Sequence, residues 1–381
     1  MRTNTTVIIA IACLCVTSCT SQDQPRAPDL QAKAKGLCSE GRFDLAEALY
    51  KEILAEDEKK TGPDDVSLTP LLDEMAGVAE INRNRTLAIS LYERSLLIKE
   101  KAYGKTDKRV AFALIQLGKA KFRDDQPGKD VCACFERAVD ILEKVVPPDP
   151  VSLSAALEKL GLQHSKDGSF AEAKTVLLRC LEIREKSLGG HDSTVTATLN
   201  NLAILHETQG QFAQAESFYT RALAVEEKAL GPDNVLLVAC LNHLAYNYGQ
   251  QGLDEKALLL YQRALLLSEK AYGPDDMRIS PCLKSLADTW TRLRKFTKAE
   301  ALYLRCLDIY TKALPKGSYD FYDHSETVLL DLAEMYEATG KHDKASDARS
   351  QAEKMRQQAK AALDRDNISS TRPAESRASH R

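Results

Sequence analysis

The sequence predicts an all-α fold of stacked helix pairs, on three observations. A bulky side chain recurs at Tyr50, Tyr92, Phe135, Leu177, Tyr219, Tyr261 and Tyr303, in steps of 42 residues with a single step of 43. Four residues before each stands a small or branched apolar residue, at Ala46, Ala88, Val131, Ala173, Ala215, Ala257 and Ala299, and a spacing of four puts the two on one helical face. Glycine and proline number 18 and 13, about 8 % of the 381 residues, against a usual combined share of roughly 12 %, which leaves too few turn residues for a sandwich or barrel. With 28 % charged residues, 44 % hydrophobic residues and a net charge of −3, the chain is neither an acidic disordered polymer nor a polybasic nucleic-acid binder.

Residues 1–18 stand apart from the repeats. Arg2 is followed by the uncharged apolar run Val7 to Val16, ten residues long, which reads as the h-region of a signal peptide. As a helix it reaches roughly 15 Å, half of the hydrocarbon layer. Val16-Thr-Ser-Cys19 resembles the bacterial lipobox. That resemblance implies cleavage before Cys19, a diacylglycerol thioether on its thiol, a lipidated tether over residues 19–27 and stable anchoring by two or three acyl chains. Thr20 after the cysteine implies the periplasmic face of the outer membrane if the source is Gram-negative. An ordinary cleaved signal or an uncleaved apolar start are the alternatives.

From residue 28 the repeats begin. Upstream of the bulky positions, Met75-Ala76, Leu117-Gly118, Leu160-Gly161, Leu202-Ala203, Leu244-Ala245 and Leu286-Ala287 mark a second helix in each unit. Gln209-Gly210-Gln211 and Gln251-Gly252-Leu253 are the turns within pairs, where glycine supplies a left-handed C-cap. Between units, Thr61-Gly-Pro-Asp64, Leu230-Gly-Pro-Asp233 and Tyr272-Gly-Pro-Asp275 stop one helix and forbid its continuation. The third unit departs from this, with Gln126-Pro-Gly128 and Val146-Pro-Pro-Asp-Pro150. Four extra residues fall within Leu314 to Tyr322, whose aromatics Tyr319, Phe321 and Tyr322 are expected to seal the end of the stack, with a contact patch as the alternative. Residues 359–381 are expected to be a disordered polar tail.

Ala197-Thr-Leu-Asn-Asn-Leu-Ala203, Gly210-Gln-Phe-Ala-Gln-Ala-Glu216, Tyr219-Thr-Arg-Ala-Leu223 and Glu227-Lys-Ala-Leu-Gly-Pro-Asp233 resemble the tetratricopeptide repeat, in the longer form of kinesin light chain. The resemblance implies a right-handed superhelix, an α-solenoid of about eight helix pairs over residues 28–358, with the first helix of each pair lining the concave face. It also implies a groove for an extended peptide, with Asn200, Asn201, Asn242, His243, Tyr246, Lys284 and Asp288 facing it. Carboxamides both donate to and accept from a peptide backbone. The same asparagines are equally placed to bond the neighbouring repeat. The equivalent positions Asp73, Ile115 and Glu158 break the asparagine ladder, which confines it to the central repeats.

Aromatic residues at His206, Tyr248, Trp290 and Tyr336 recur at the last turn of the first helix and are expected to pack against the next helix. Cys38, Cys132, Cys134, Cys180, Cys240, Cys282 and Cys306 remain beyond Cys19. Cys180 and Cys306 share a register with Ala222 and Ala264, and read as small hydrophobes. Cys132-Ala-Cys134 lacks a second ligand pair for a metal. His206-Glu-Thr-Gln-Gly210 lacks the second histidine of a zinc-protease helix, and Gly104-Lys-Thr106 lacks the glycine of a phosphate loop. The carboxylates of Glu226-Glu-Lys228 and Glu269-Lys270 read as solvated charge. The expected function is therefore a non-enzymatic scaffold, lipid-anchored at the cell envelope, binding a protein or peptide partner. It needs no cofactor, metal, nucleic acid or small-molecule substrate. The alternative is a structural subunit of an envelope complex that meets its partners through the convex edge and loops.

Overall fold

The computed structural model describes residues 28–122, 128–189, 192–313 and 319–371. The signal peptide, Cys19 and its tether, the Gln126-Pro127 turn and the last ten residues lie outside the described residues. Among those described there are sixteen α-helices and no strand. They group into two compact units that divide after Gly189. The first unit contains α1 (Pro28–Ser39), α2 (Phe43–Thr61), α3 (Thr69–Ile81), α4 (Arg85–Tyr103), α5 (Lys108–Lys121), α6 (Lys129–Leu142), α7 (Pro150–Lys166) and α8 (Phe170–Leu188). The second contains α9 (Ser193–Thr208), α10 (Phe212–Leu230), α11 (Leu237–Gln250), α12 (Asp254–Tyr272), α13 (Ser280–Arg292), α14 (Phe296–Ala313), α15 (Tyr319–Ala338) and α16 (His342–Thr371). Each unit is a succession of four helix pairs, and within a unit each helix packs on the one before it.

Size alternation sets the close packing inside a pair. The repeated bulky residues are the buried knobs: Tyr50, Tyr219, Tyr303, Phe135 and Leu177 are all at most 2 % exposed. Opposite them lie the smallest residues of the first helices. A Cβ added to Gly118 would stand 2.7 Å from the Phe135 ring, and one added to Gly161 would stand 2.7 Å from Leu177. Close-packed interiors have no slack for that methyl group.

The connections repeat as strictly as the core. Asp65, Asp107, Asp149, Asp192, Asn234 and Asp276 each accept a backbone N–H two or three residues further on, at 2.8–3.0 Å. Asp107, Asp149 and Asp192 thereby relieve unpaired N–H groups at the starts of α5, α7 and α9, while Asp65 and Asp276 cap the short 3-10 turns that lead into α3 and α13. Where the Gly-Pro-Asp motif occurs, the residue after it accepts the bond, Asp65, Asn234 or Asp276, so the motif's own aspartate is not the capping group. Arg278 forks onto both oxygens of Asp276, and that hydrogen bonding holds its carboxyl down at about 2. The turns inside pairs are closed by a residue in the left-handed region. Gly210 takes it at φ 70°, but Arg83 and Arg294 take it too, at 61° and 57°.

A ladder of ion pairs ties the second helices together. Arg94, Arg137, Arg179, Arg263 and Arg305 each stand two residues beyond the bulky position. They reach back to Glu58, Glu100, Glu143, Glu227 and Glu269 of the preceding pair. Arg94, Arg263 and Arg305 also donate to the carbonyls of Pro63, Pro232 and Pro274 at 2.6–2.7 Å. Glu227 and Glu269 are therefore not simply solvated charge, a correction to the sequence reading. Their partners lie in another repeat, 36 residues on in each case, which helix-face reasoning on one segment does not reach.

A second correction concerns the C-terminus. The last helix runs to Thr371, past residue 359, where a disordered tail was expected. Ala359 is 6 % exposed, and the following Lys-Ala-Ala-Leu stretch consists of strong helix formers with no breaker before Pro373. The expectation for 372–381 lies outside the described residues. Tyr322 packs on the terminal core cluster with Tyr310, Val328 and Met335; the side chains of Tyr319 and Phe321 lie outside the described residues.

Three substitutions test the stability argument. Gly118→Ala should cost about 1–3 kcal/mol in urea unfolding, because a close-packed aromatic has to move. Gly77→Ala is mid-helix with nothing within 4 Å and should gain up to about 1 kcal/mol. Asp276→Ala should cost about 1 kcal/mol at pH 7 through loss of the cap. The folded carboxyl of Asp276 titrates below its ordinary 3.8, near 2, so the stability it contributes is complete above that ordinary value and is lost as pH falls toward 2. The difference between parent and variant should vanish over that window in thermal unfolding.

Candidate interaction face

In the second unit the first helices of the pairs are α9, α11, α13 and α15, and side chains link each to the next. The Asn200 carboxamide hydrogen-bonds the Cys240 thiol. One repeat on, Asn242 Nδ2 lies 3.8 Å from Cys282 Sγ, which is also 3.9 Å from the Ser268 hydroxyl. One repeat further, Lys284 Nζ lies 2.8 Å from Asp331 and 3.2 Å from Asp288. The same register in the first unit holds Asp73, which accepts from Lys99 and Ser95 at 2.6 Å, and Glu158, which takes both guanidinium arms of Arg184 at 3.1–3.2 Å. Ile115 fills it with a buried apolar side chain. This position joins helices whatever residue occupies it, so the bonding of a neighbouring repeat accounts for the orientation of Asn200 and Asn242.

The residues beside that register are more open. Ile204 is 43 % and Tyr246 52 % exposed, one repeat apart on α9 and α11. His243 is exposed, with its ring 5.7 Å from that of Tyr219, and loss of water on that side lowers its pKa. Asn201 is half-buried. Asp288 occupies on α13 the position of Ile204 and Tyr246. It accepts the Tyr303 hydroxyl at 2.5 Å as well as Lys284. Burial pushes the Asp331 carboxyl up, and the charges of Asp288 and Glu334 add to that. Burial alone would lower Lys284, but its bond to Asp331 and the charge of Asp288 hold it above its ordinary value. The structure thus brings Lys284, Asp288 and Asp331 together as one network, whereas Asn200, Asn242, His243 and Tyr246 belong to the two preceding helices.

Sequence reasoning missed the hydroxyls of the repeated tyrosines. Tyr219 donates to Glu207 at 2.9 Å, Tyr303 to Asp288, and Tyr50 to Glu74 at 2.9 Å. Burial and the adjacent carboxylates raise Tyr219 and Tyr303 far above an ordinary phenol. The signal was available: the bulky position is tyrosine in five of its seven occurrences, and a purely apolar role has no use for the hydroxyl.

The remaining sequence candidates are accounted for by packing. His206 is 3 % exposed and stacks on Phe218 at 5.5 Å. Tyr248, Trp290 and Tyr336 lie under Lys256, Lys298 and Lys344 of the following helices, at 4.9, 4.2 and 5.1 Å. The cysteines of the described residues are thiols, not disulfides. Cys180 and Cys306 are fully buried and donate to the carbonyls of Ser154 and Ser280 at 3.1 and 3.5 Å. Cys132 lies 3.6 Å from Asp167 and 3.9 Å from His164, but burial, with the charge of Asp167, pushes its thiol up to about 11, which removes the thiolate a nucleophile needs. Among the described residues no cluster of three or more His, Cys, Asp or Glu is arranged to hold a metal, and no helix is long and apolar enough to cross a membrane.

The paired helices, the size alternation and the 42-residue register define an α-solenoid of the tetratricopeptide type. The tetratricopeptide-repeat family matches in three overlapping stretches, residues 152–228, 194–265 and 237–312, which include every residue of the face described above except Asp331 and Glu334. Among solved structures, BtubC (BKLC) from P. vanneervenii is similar, with a TM-score of 0.51 and 19 % identity over 59 % of this chain and 90 % of that one. The apo quorum sensor NprR from B. thuringiensis has a TM-score of 0.55 and 12 % identity over 86 % of each chain. Apo RapI has a TM-score of 0.51 and 14 % identity over 77 % of this chain and 99 % of that one. At these identities the likeness establishes the fold alone. No curated protein matches this sequence.

The network gives a direct check. Lys284→Ala leaves Asp288 and Asp331 facing each other without their cation and should cost about 1–2 kcal/mol in urea unfolding, less than for a fully buried pair because Lys284 is partly exposed. Adding Asp331→Asn should recover part of that loss, a non-additivity expected of groups in contact.

Proposed function

We propose that the chain is an interaction scaffold that holds an extended segment of a protein partner against the first-helix face of α9, α11 and α13. The observation that carries this reading is the exposure of Ile204 and Tyr246 at equivalent positions of successive repeats, beside the exposed His243. A repeat protein has many positions for solvated charge, and large apolar side chains left open in register offer a partner apolar area to bury. Asn201 and Asp288 border the same strip. No step of bond chemistry enters this role.

The tether belongs to the same proposal. A lipid on Cys19, with residues 19–27 as a short leash, would hold the scaffold at the membrane of the bacterial cell envelope and confine its partner there. The lipobox-like sequence Val16 to Cys19 supports this, as does the length of the apolar run before it, which is too short to span a bilayer.

A second reading has its own observation. On the second helix α12, Leu259 and Leu266 are 67 % and 65 % exposed, seven residues apart on one helical stripe, and they would suit a structural subunit that meets its partner on the other side. A photo-crosslinking side chain at residue 246 should capture the partner in cells at least tenfold more than one at residue 266. The reverse ratio assigns the contact to the second helices. In the same cells Cys19→Ala should move the protein out of the membrane fraction, and unchanged partitioning removes the anchor from the proposal.

A further inference from the structure

The side chains of the first-helix face change character along the unit. At equivalent positions of α9, α11, α13 and α15 stand Ile204, Tyr246, Asp288 and Glu334. On α9 and α11 the strip presents Ile204 and Tyr246, with the carboxamides of Asn200, Asn201 and Asn242 and the imidazole of His243 beside them, and the carboxylate of Glu226 on α10 acts on Cys240. The half formed by α13 and α15 carries Asp288 and Asp331 on the ammonium of Lys284, with the exposed Glu334 one turn beyond Asp331 on α15.

The charge balance elsewhere shows what is unusual here. In the first unit the carboxylates at the register of Lys284 are matched one to one, Asp73 with Lys99 and Glu158 with Arg184. In the second unit Lys284 is shared between two aspartates and Glu334 adds a further charge, a local surplus of two negative charges. That surplus contributes to the upward push on Asp331. A cation supplied from outside would relieve it, and the apolar half would meanwhile accept an uncharged side chain with no buried charge to pair.

We infer that this face selects an extended segment with a large apolar anchor and basic residues about three and six positions away from it. The inference rests on the scaffold reading above and names the chemistry of its partner. The anchor covers Ile204 and Tyr246, and the basic side chains reach Asp288 and then Asp331 and Glu334. The spacing follows from geometry. Packed helices stand about 8–10 Å apart, and an extended chain advances about 3.3 Å per residue, so one step between neighbouring first helices takes about three residues.

The test uses the full chain and fluorescein-labelled ten-residue peptides read by anisotropy. Each peptide carries one leucine anchor, with lysine, glutamine or glutamate three and six positions to either side. The lysine peptides should bind at least tenfold more tightly than the glutamine peptides, the glutamate peptides most weakly, and the lysine advantage should shrink as salt rises from about 50 to 300 mM. Glu334→Gln, an exposed change that leaves the helix intact, should weaken the lysine peptides three- to tenfold and leave the glutamine peptides unaltered. Asp331→Asn should act in the same direction. Equal binding of all three peptide types, or no effect of Glu334→Gln, overturns the charge preference and leaves the scaffold reading in place. Absence of binding by every peptide overturns the charge preference too, and the capture ratio at residues 246 and 266 then decides the scaffold reading separately.

Discussion

A knob of fixed size meeting a gap of fixed size, once every 42 residues, is the contact on which this structure depends. Phe135 against Gly118 and Leu177 against Gly161 are its tightest instances. Where the first helix offers alanine, as at Ala203 against Tyr219, the same approach holds in a looser form. Because the knob and the gap belong to the two helices of one hairpin, each repeat closes locally. Its outer flanks then wait for the neighbouring hairpin, which is why the buried clusters run from one pair into the next. The hydrophobic surplus of one repeat is satisfied by another, and a lone repeat would leave it in water.

The polar network is laid over that packing with the same period. Cap aspartates start the first helices, arginines bind the second helices back to the preceding pair, and tyrosine hydroxyls return to carboxylates at the helix edge. Each of these interactions is modest, since most lie near solvent and surface ion pairs contribute roughly 0–1 kcal/mol. Their value is in alignment. A guanidinium that bonds both a glutamate side chain and a loop carbonyl sets the angle at which one hairpin meets the next, and the repeat copies that angle.

Much of this was legible in the sequence, because periodic information is redundant. The helix pairs, the buried bulky row and the buried cysteines all follow from registers repeated several times. What escaped were features carried by partners in different repeats. Glu227 and Glu269 look solvated on their own helix and are paired only once Arg263 and Arg305 are placed. Lys284 appears as a lone cation on its segment, yet Asp331, 47 residues later and beyond an insertion, defines its surroundings. The asparagine ladder was visible as a ladder, but the direction of its carboxamides toward Cys240 and Cys282 is a property of the stacked helices. The continuation of α16 was hidden by composition, which weighs serine and arginine near the end over the alanine-rich stretch before them.

Burial of the thiols carries a consequence for handling by the cell. Cys240 and Cys306 ionise only near pH 11 and 12, so at neutral pH on the order of one in ten thousand or fewer of such groups is a thiolate. Exchange with disulfides proceeds through the thiolate. The cysteines of the described core, open to exchange in an unfolded chain, become chemically quiet once the hairpins have closed over them. Packing then does for these sulfurs what a reductant would otherwise have to do.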